Sequence, residues 1–482
     1  TGDNRPDILY LGGTGDGEGS GGDSILSGDA ALLSVGDDGV VTPHPTLLPP
    51  TEPGVFASVA TYADFDKDGA MDLYLCRMGQ QGAAEHDDAV PILGAPDLLF
   101  MRRGGQFIDA SQPLGFNNET ASLAAMTVDL DDDGWIDLIV GSDSADPEEV
   151  HYNSGGEFTE AGAQHGVTRD TDAMGLDAGD IDGDGDLDFM VSDNSPNVLY
   201  INQGDGNFSE EGGPRGLVVD SKPISWGFGM HDLDHDGDLD IFAVNGQPCS
   251  DCQGEMENHL HLNDGKGYFT LVKAPAGSAL TALENSRAAV FSDIDRDGDL
   301  DIVVSNIGAP PTVMRNDMAN GHWLQLLLRH PQLEPPVGAK VQLKAGDKVL
   351  KRWVKGAAGF GGSSTRWVHF GLADATEVTD VVVTWPDGHQ QNLGTLAADQ
   401  HLEVKYDGPV QARTDLAPPE VSTCSAVCEH LDTCGLLAEF GVSDQASCVA
   451  DCDSEPFEAY TGTCLASAPC DLLEYCELFS PD

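Results

Sequence analysis

Five copies of one acidic nine-residue pattern constrain this chain more than any other feature of its sequence. Each copy has aspartate at positions 1, 3, 5 and 9 and glycine at position 6. Carboxylates at these positions can converge on one hard cation, and a backbone carbonyl at position 7 completes the oxygen cage. Glycine at position 6 permits the left-handed turn that folds the cage back on itself. The copies, called loops 1 to 5, are residues 64–72, 129–137, 180–188, 232–240 and 293–301.

The pattern predicts five calcium sites, each with four side-chain ligands and one main-chain ligand. A run of solvated acidic turns is the alternative, and five glycines in one register disfavour it. The predicted carbonyl ligands at position 7 are Ala70, Trp135, Asp186, Asp238 and Asp299. The predicted carboxylate ligands are Asp64, Asp66, Asp68, Asp72, Asp129, Asp131, Asp133, Asp137, Asp180, Asp182, Asp184, Asp188, Asp232, Asp234, Asp236, Asp240, Asp293, Asp295, Asp297 and Asp301.

The segments after the loops predict the architecture. Asp72 runs into Leu-Tyr-Leu and Asp301 into Ile-Val-Val, and such short apolar runs indicate buried strands. An EF-hand is therefore excluded, because there a helix follows the loop and a glutamate closes it at position 12. Between loops lies a glycine-rich hairpin, clearest at 197–208, so each period offers four strands. Final aspartates 51 to 65 residues apart, with four strands per period, predict propeller blades.

These residues resemble the FG-GAP, or VCBS-type, repeats over roughly residues 1–318. The resemblance implies that each loop joins the first two strands of a blade and binds calcium. It implies a propeller with six recognisable blades, six or seven in total. The next segment, 319–408, alternates apolar and polar residues between turn signals and is predicted to be a small β-sandwich-like module.

The landmarks of that module are His322-Trp, Gly338-Ala, Gly359-Phe and His369-Phe-Gly-Leu. They look like the ASPIC/UnbV domain of the cartilage acidic protein family, and the chain resembles a bacterial-type secreted member of it. The family's Ser-Gln after the Gly-Tyr/Phe pair is replaced here by Gly-Gly-Ser-Ser at 361–364, and its Asn-Arg before Gly-Ala is missing. The match therefore identifies the domain but no site within it.

The tail predicts a third kind of structure. Residues 409–422 have linker composition, and 423–482 hold eight of the eleven cysteines. Their spacing favours a disulfide-rich α-helical domain over zinc binding, because the segment has one histidine. Four disulfides are expected, with the connectivity open. The cysteines are Cys424, Cys428, Cys434, Cys448, Cys452, Cys464, Cys470 and Cys476.

Three cysteines lie in the repeats. Cys249 and Cys252 are expected to form a local disulfide, since no thioredoxin-like βαβ pattern surrounds them to favour a redox pair. Cys76 is then expected to be a free, buried thiol.

The N-terminus looks like a sixth, incomplete repeat. Aligning Asp7 with Asp72 places Asp3 at loop position 5 and Asn4 at position 6, which predicts a degenerate sixth calcium site at Asp3 and Asp7. The first strand of this blade is missing, and a distant segment, a covering loop or a neighbouring copy could occupy its place. A strand from a sister copy would produce a homo-oligomer or filament.

The net charge of −59 disfavours nucleic acid and anionic membranes as partners. No apolar stretch reaches eighteen residues, so no transmembrane helix is predicted, and the chain starts as a mature protein would, without a basic-then-apolar leader. The eight tail cysteines beside the calcium loops favour an oxidising compartment, so a secreted or cell-surface protein is expected. No nucleophile elbow, His-Glu-x-x-His or phosphate loop occurs, and His235 at loop position 4 is expected to face solvent. We expect a calcium-binding scaffold for extracellular adhesion, glycan or protein binding or self-assembly, without catalysis. An extracellular polysaccharide lyase or glycosidase on the same propeller is the alternative.

Overall fold

The computed structural model of this protein consists almost entirely of β-structure. Within the part of the chain that it describes there are thirty-two strands, two 3-10 helices (Gly162–His165 and Ala279–Thr281) and no α-helix. The mainly β fold is thereby confirmed. The described residues are 7–11, 30–35, 41–43, 55–79, 93–117, 119–194, 196–204, 206–217, 223–247, 256–275, 277–318, 321–360, 362 and 364–413.

Six antiparallel sheets follow one another along the repeats. They are β1-β2-β3, β4-β5-β7-β8 with β6 on β5, β9-β10-β11-β12 with β13 on β10, β14-β15-β16-β17, β18-β19-β20-β21 and β22-β23-β24. These strands are β1 (Asp7–Leu11), β2 (Ala30–Val35), β3 (Val41–Pro43), β4 (Val55–Ala63), β5 (Asp72–Gly79), β6 (Leu93–Gly94), β7 (Leu98–Arg103), β8 (Gln106–Asp109), β9 (Ser122–Val128), β10 (Asp137–Asp146), β11 (Glu149–Ser154), β12 (Glu157–Glu160), β13 (Thr171–Asp172), β14 (Gly175–Gly179), β15 (Asp188–Ser192), β16 (Val198–Asn202), β17 (Phe208–Glu210), β18 (Ser225–His231), β19 (Asp240–Asn245), β20 (His259–Asn263), β21 (Phe269–Leu271), β22 (Ser286–Ser292), β23 (Asp301–Asn306) and β24 (Thr312–Met314).

Each acidic loop joins the first two strands of its sheet. Loop 1 connects β4 to β5, and Asp72 at position 9 pairs with Ala63, the residue before position 1. The same register recurs at Val128 with Asp137 and at Gly179 with Asp188. Because position 9 begins a strand in every repeat, the loop is fixed at both ends by the sheet that it opens.

Successive sheets pack on each other through apolar side chains. Met126 of β9 shares a buried cluster with Phe189 of β15, and Met190 of the same strand shares another with Phe228 of β18. The first strands are also neighbours in order: β4 contacts β9, β9 contacts β14, β14 contacts β18 and β18 contacts β22. These five strands, called the inner strands below, form a continuous row.

The second domain consists of two four-stranded sheets, β28-β25-β31-β32 and β27-β26-β29-β30. Both contribute to one core that includes Leu324, Phe370, Val381 and Trp385. The strands are β25 (His322–Arg329), β26 (Lys340–Ala345), β27 (Lys348–Trp353), β28 (Val368–Ala373), β29 (Glu377–Thr384), β30 (Gln390–Ala397), β31 (Gln400–Lys405) and β32 (Val410–Ala412).

The residues divide into two units. The first unit consists of Thr1–Ser292 and Asp299–Ala412, so it includes the inner strands and the second domain. The second unit consists of Asp293–Gly298 and Arg413–Asp482. The predicted helical disulfide domain, Asp3, Asn4, Cys249 and Cys252 lie outside the described residues. Cys76 is buried and free. The described segments contain no helix of the length and apolarity that a membrane span requires.

Candidate metal centres

Every loop brings three carboxylates together, with one oxygen from each within 4.8 Å of the other two. In loops 1 to 3 they come from positions 1, 3 and 9, and in loops 4 and 5 from positions 1, 3 and 5. The remaining aspartate of each loop and the position-7 carbonyls stay predicted ligands. The clusters are Asp64-Asp66-Asp72, Asp129-Asp131-Asp137, Asp180-Asp182-Asp188, Asp232-Asp234-Asp236 and Asp293-Asp295-Asp297.

Two left-handed residues fold each loop. The position-6 glycines have φ from 86° at Gly69 to 104° at Gly298, as predicted. Position 4 is left-handed as well, with φ of 57° at Lys67 and 63° at His235. Sequence reasoning missed this second turn, because position 4 holds a different kind of residue in almost every copy.

Backbone amides hold the carboxylates in place, as loop 3 illustrates. The Gly185 N–H donates to Asp180 Oδ2 at 3.1 Å, and the Asp186 N–H donates to Asp184 Oδ1 at 2.9 Å. Asp188 accepts from the N–H of Ile181 within the loop and from the N–H of Asn202 in β16. The position-9 carboxylate therefore links the loop to the third strand of its sheet, a role that the ligand pattern alone does not reveal.

Several carboxylate oxygens in these clusters are buried without a hydrogen-bond partner. They are Oδ1 of Asp66, Oδ1 of Asp182 and Oδ1 of Asp232. A buried carboxylate oxygen is costly unless a donor or a cation satisfies it. All the donors are oxygens, which calcium prefers, so the residues present fit a calcium ion.

Burial also makes the clusters unfavourable as bare anions. Desolvation raises the pKa of Asp72 to about 7 and that of Asp188 to about 8, and neighbouring carboxylates add to both shifts. The pKa of Asp180 is raised to about 6 by the same burial. A divalent cation would remove the repulsion and replace the lost hydration.

Arginines of the repeats lie against two of the clusters. Arg103 forms ion pairs with Asp66 and with Asp68, the latter at 2.9 Å. Arg215 is mostly buried and lies 3.2 Å from Asp182 Oδ2. Both arginines therefore contact the outer side of position 3.

Basic side chains of the second domain contact loops 2 to 4. Lys340 pairs with Asp132, Lys348 lies 3.0 Å from Asp238 Oδ1, and Lys351 Nζ donates to the Gly185 carbonyl at 2.7 Å. The half-buried Arg352 donates to the Gly237 carbonyl at 3.1 Å. The four side chains come from the hairpin β26-β27, which thus covers the ends of three loops.

Loop 4 is enclosed most completely, and the expectation that His235 faces solvent is wrong. His235 is 1% exposed, its carbonyl accepts the Ala373 N–H at 2.7 Å, and its ring lies 5.1 Å from that of His369. The Gly371 N–H donates to Asp232 Oδ2 at 3.0 Å. Strand β28 of the second domain causes this burial, and no local signal within the repeat indicates it.

Comparison with known proteins assigns both kinds of domain. The model described as FG-GAP-like repeat matches residues 129–191, 180–243 and 232–304, and the model described as ASPIC and UnbV matches residues 332–410. Cartilage acidic protein 1 of Homo sapiens is 26% identical over 319 residues, covering 54% of this chain and 48% of the relative. The Mus musculus protein of that name is 25% identical over 319 residues, covering 54% and 49%. The chain spans about half the length of the curated relatives it matches.

Solved structures give weaker likenesses. An Agrocybe aegerita lectin that recognises non-reducing terminal N-acetylglucosamine has a TM-score of 0.32 and 16% identity, covering 66% of this chain and 82% of the lectin. Rhamnogalacturonan lyase YesW has a TM-score of 0.32 and 13% identity, covering 78% and 66%. Likenesses at this level carry no conclusion about the ligand or the chemistry of this chain.

Proposed function

This chain belongs to the proteins that combine FG-GAP-like repeats with an ASPIC/UnbV domain and is homologous to cartilage acidic protein 1, and we propose that it is a secreted, calcium-stabilised β-propeller scaffold. Its role is to hold a glycan or protein ligand, or sister copies, outside the cell without catalysing a reaction. Calcium supplies the positive charge that the carboxylate oxygens of each loop coordinate, and this coordination joins the two ends of the loop.

The observation that carries this proposal is the repeated carboxylate cluster. Three oxygens within 4.8 Å occur in each of five loops, and buried oxygens of Asp66, Asp182 and Asp232 have no partner. Metal ligands are the usual reason for burying several carboxylates together, because bare clusters cost free energy. Five such clusters at equivalent places in the repeats indicate a property of the fold rather than of one catalytic centre.

The order of the sheets supports the propeller. Four-stranded antiparallel sheets follow one another in chain order, and their first strands lie side by side. That is the arrangement of blades about a central axis. Six repeat sheets are present among the described residues, and the first and the last of them have three strands.

Charge restricts the partners. Five calcium ions would add ten positive charges to a net charge of −59, so a large negative surplus stays on the surface. Cationic proteins, neutral glycans and acidic surfaces bridged by calcium are compatible with this surplus, whereas nucleic acid is not. An extracellular location supplies the calcium that modules of this kind need, roughly 10⁻⁴–10⁻³ M.

Self-association through the N-terminal sheet is part of the proposal. Among the described residues this sheet consists of β1, β2 and β3, and β1 pairs with β2 alone. A strand from a second copy fits such an edge. Sedimentation with and without calcium tests it: a single monomeric species at high protein concentration would refute it.

Calcium stoichiometry is the direct test of the scaffold. Titration of metal-depleted protein is expected to show about five bound ions per chain, a number that the loops set. The absence of saturable binding would refute the metal sites. Turnover on a polysaccharide panel, abolished by substituting one acid outside the loops, would favour the lyase or glycosidase instead.

A further inference from the structure

Four asparagines occupy one place in the repeats, at or next to the end of the third strand of a sheet. Three lie in β11, β16 and β20 and are buried, and the fourth follows β24. The backbone N–H of each donates to the position-9 aspartate of the loop in its own sheet. They are Asn153, Asn202, Asn263 and Asn316, called the third-strand asparagines below.

The side chain of Asn153 reaches the preceding loop. Its Nδ2 donates to the carbonyl of Phe65, position 2 of loop 1, at 2.8 Å, and to the carbonyl of Ile136, position 8 of loop 2, at 3.0 Å. Its Oδ1 accepts from the Gly156 N–H at 2.9 Å. Aspartate could not replace it, because a carboxylate has no N–H to donate. This place in the repeat therefore requires a carboxamide.

These bonds form a relay between the carboxylates of two clusters. The Phe65 N–H donates to Asp72 Oδ2 at 3.0 Å, and the Phe65 carbonyl accepts from the side chain of Asn153. The Asn153 N–H then donates to Asp137 Oδ1 at 2.8 Å. Asp72 belongs to the first cluster and Asp137 to the second, so only two residues separate them. All four residues are buried, and chains of hydrogen bonds strengthen one another where water is excluded.

The relay recurs farther along the repeats. Asn263 Nδ2 donates to the carbonyl of Ile181, position 2 of loop 3, and the Asn263 N–H donates to Asp240 of loop 4. Asn316 Nδ2 donates to the carbonyl of Leu233, position 2 of loop 4, at 2.8 Å. The position-2 N–H donates to the position-9 aspartate in loops 3 and 4, as it does in loop 1. A bond made by three of the four asparagines is a feature of the repeat and not of one sheet.

The relay is interrupted between loops 2 and 3. Asn202 Nδ2 donates at 3.4 Å to the carbonyl of Leu187, which is position 8 of its own loop 3. Within the described residues, no hydrogen bond joins Asn202 to Leu130, position 2 of loop 2. Loops 1 and 2 are thus connected and loops 3 and 4 are connected, while this route does not join the two pairs.

We propose that the third-strand asparagines are positioning residues that couple the calcium sites in pairs, loop 1 with loop 2 and loop 3 with loop 4. The inference rests on the calcium sites of the proposed function. Without an ion, repulsion among its carboxylates loosens each cluster, whereas coordination fixes Asp72. The relay passes this order to Asp137, so the second loop loses less freedom when it binds its own ion. By linkage, each site of a pair strengthens the other by the same factor.

Asp66→Asn tests the coupling between loops 1 and 2. It removes a charge from the first cluster and leaves the second cluster and the relay intact. Hydrogen-exchange mass spectrometry of the full chain at graded free calcium concentrations reports each loop separately. We expect the calcium midpoint for protection of loop 2 to rise by about fivefold or more, and that of loop 3 to stay within about twofold. An unchanged midpoint for loop 2, or an equal rise at loops 2 and 3, would overturn the proposal.

The same titration separates a failure of the coupling from a failure of the calcium sites. If the loops gain protection with calcium but independently of one another, the coupling is wrong and the sites stand. If no loop gains protection with calcium, the sites are wrong and the coupling falls with them.

A second contact between loops 1 and 2 needs its own control. Lys67 Nζ of loop 1 lies 4.2 Å from the centroid of the Trp135 ring of loop 2. Lys67 is exposed, and cation–π contacts at exposed sites are weak. Lys67→Gln is therefore expected to keep the effect of Asp66→Asn on loop 2. Loss of the effect in this variant would transfer the coupling to Lys67 and overturn the assignment to Asn153.

Asn153→Ala is the decisive variant, and Asn202→Ala is its matched control. Both remove a buried asparagine side chain from the same place in the repeat, so a merely structural role would affect both alike. We expect Asn153→Ala to abolish the effect of Asp66→Asn on loop 2, and Asn202→Ala to leave that effect in place. An effect retained in Asn153→Ala would refute the relay. If that variant does not fold, the comparison of Asp66→Asn with the wild type decides.

Discussion

Asp182→Asn tests the calcium clusters with the least disturbance of shape. Asp182 Oδ1 is buried without a hydrogen-bond partner, while its other oxygen lies 3.2 Å from Arg215. Asparagine keeps the size of the side chain and removes one charge from the third cluster. We expect the number of bound calcium ions to fall by one.

The stability effect follows from linkage. A site at a hundredfold excess of calcium over its dissociation constant contributes about 2.7 kcal/mol, which corresponds to about 3 °C in melting temperature for a cooperative unit of roughly 400 residues. In chelator no calcium is bound, so the variant is expected to melt at the same temperature as the wild type or at a higher one. Burial and the neighbouring Asp184 carboxylate raise the pKa of Asp182, so the charge that the variant removes is unfavourable when no cation is bound.

The assay is calorimetric melting of both proteins in calcium and in chelator, beside a direct count of bound ions. Asp347→Asn is the control, because it makes the same charge change at an exposed turn of the second domain. The same shift in melting temperature in calcium and in chelator, with an unchanged ion count, would refute the calcium clusters.

Three further predictions use other parts of the molecule. Chelating all calcium is expected to lower the melting temperature more than Asp182→Asn does, because five sites are then emptied and not one; an unchanged melting curve would contradict this. Burial raises the pKa of Asp97 to about 7, so the folded protein binds more protons than the unfolded chain between pH ~4 and 7. The contribution of Asp97 to the free energy of unfolding therefore falls as the pH rises through that window, and Asp97→Asn is expected to flatten the stability–pH curve there. Intact mass under non-reducing conditions is expected to show the eight tail cysteines oxidised and Cys76 free. Cys76 is also expected to resist alkylation until the protein unfolds, since burial raises the pKa of its thiol.

The loops and the strands that follow them could be predicted because their signals are local. Nine residues specify the turn, and the next few apolar residues specify the strand that begins at Asp72 or Asp188. The ligand pattern also predicts that the aspartates of each loop converge, but it does not distinguish loops 1 to 3, where position 9 joins positions 1 and 3, from loops 4 and 5, where position 5 does. The second function of Asp188, accepting the Asn202 N–H, needs the paired strand and so appears only in the folded sheet.

The contacts between the domains could not be predicted from the sequence. Lys351 and Gly185 lie 166 residues apart, and neither has a sequence signature that names the other. The burial of His235 has the same origin, because it depends on β28 of the second domain.

Charge connects the two domains. Residues 319–408 contain nine basic and nine acidic residues, so the net charge of −59 comes from the rest of the chain. This neutral domain places Lys340, Lys348, Lys351 and Arg352 against the loops. These cations lie on the outer oxygens of the loops, and calcium would occupy the inner ones. If the loops bind calcium as proposed and calcium shapes the loop ends that contact the second domain, linkage requires docking and calcium affinity to strengthen each other by the same factor.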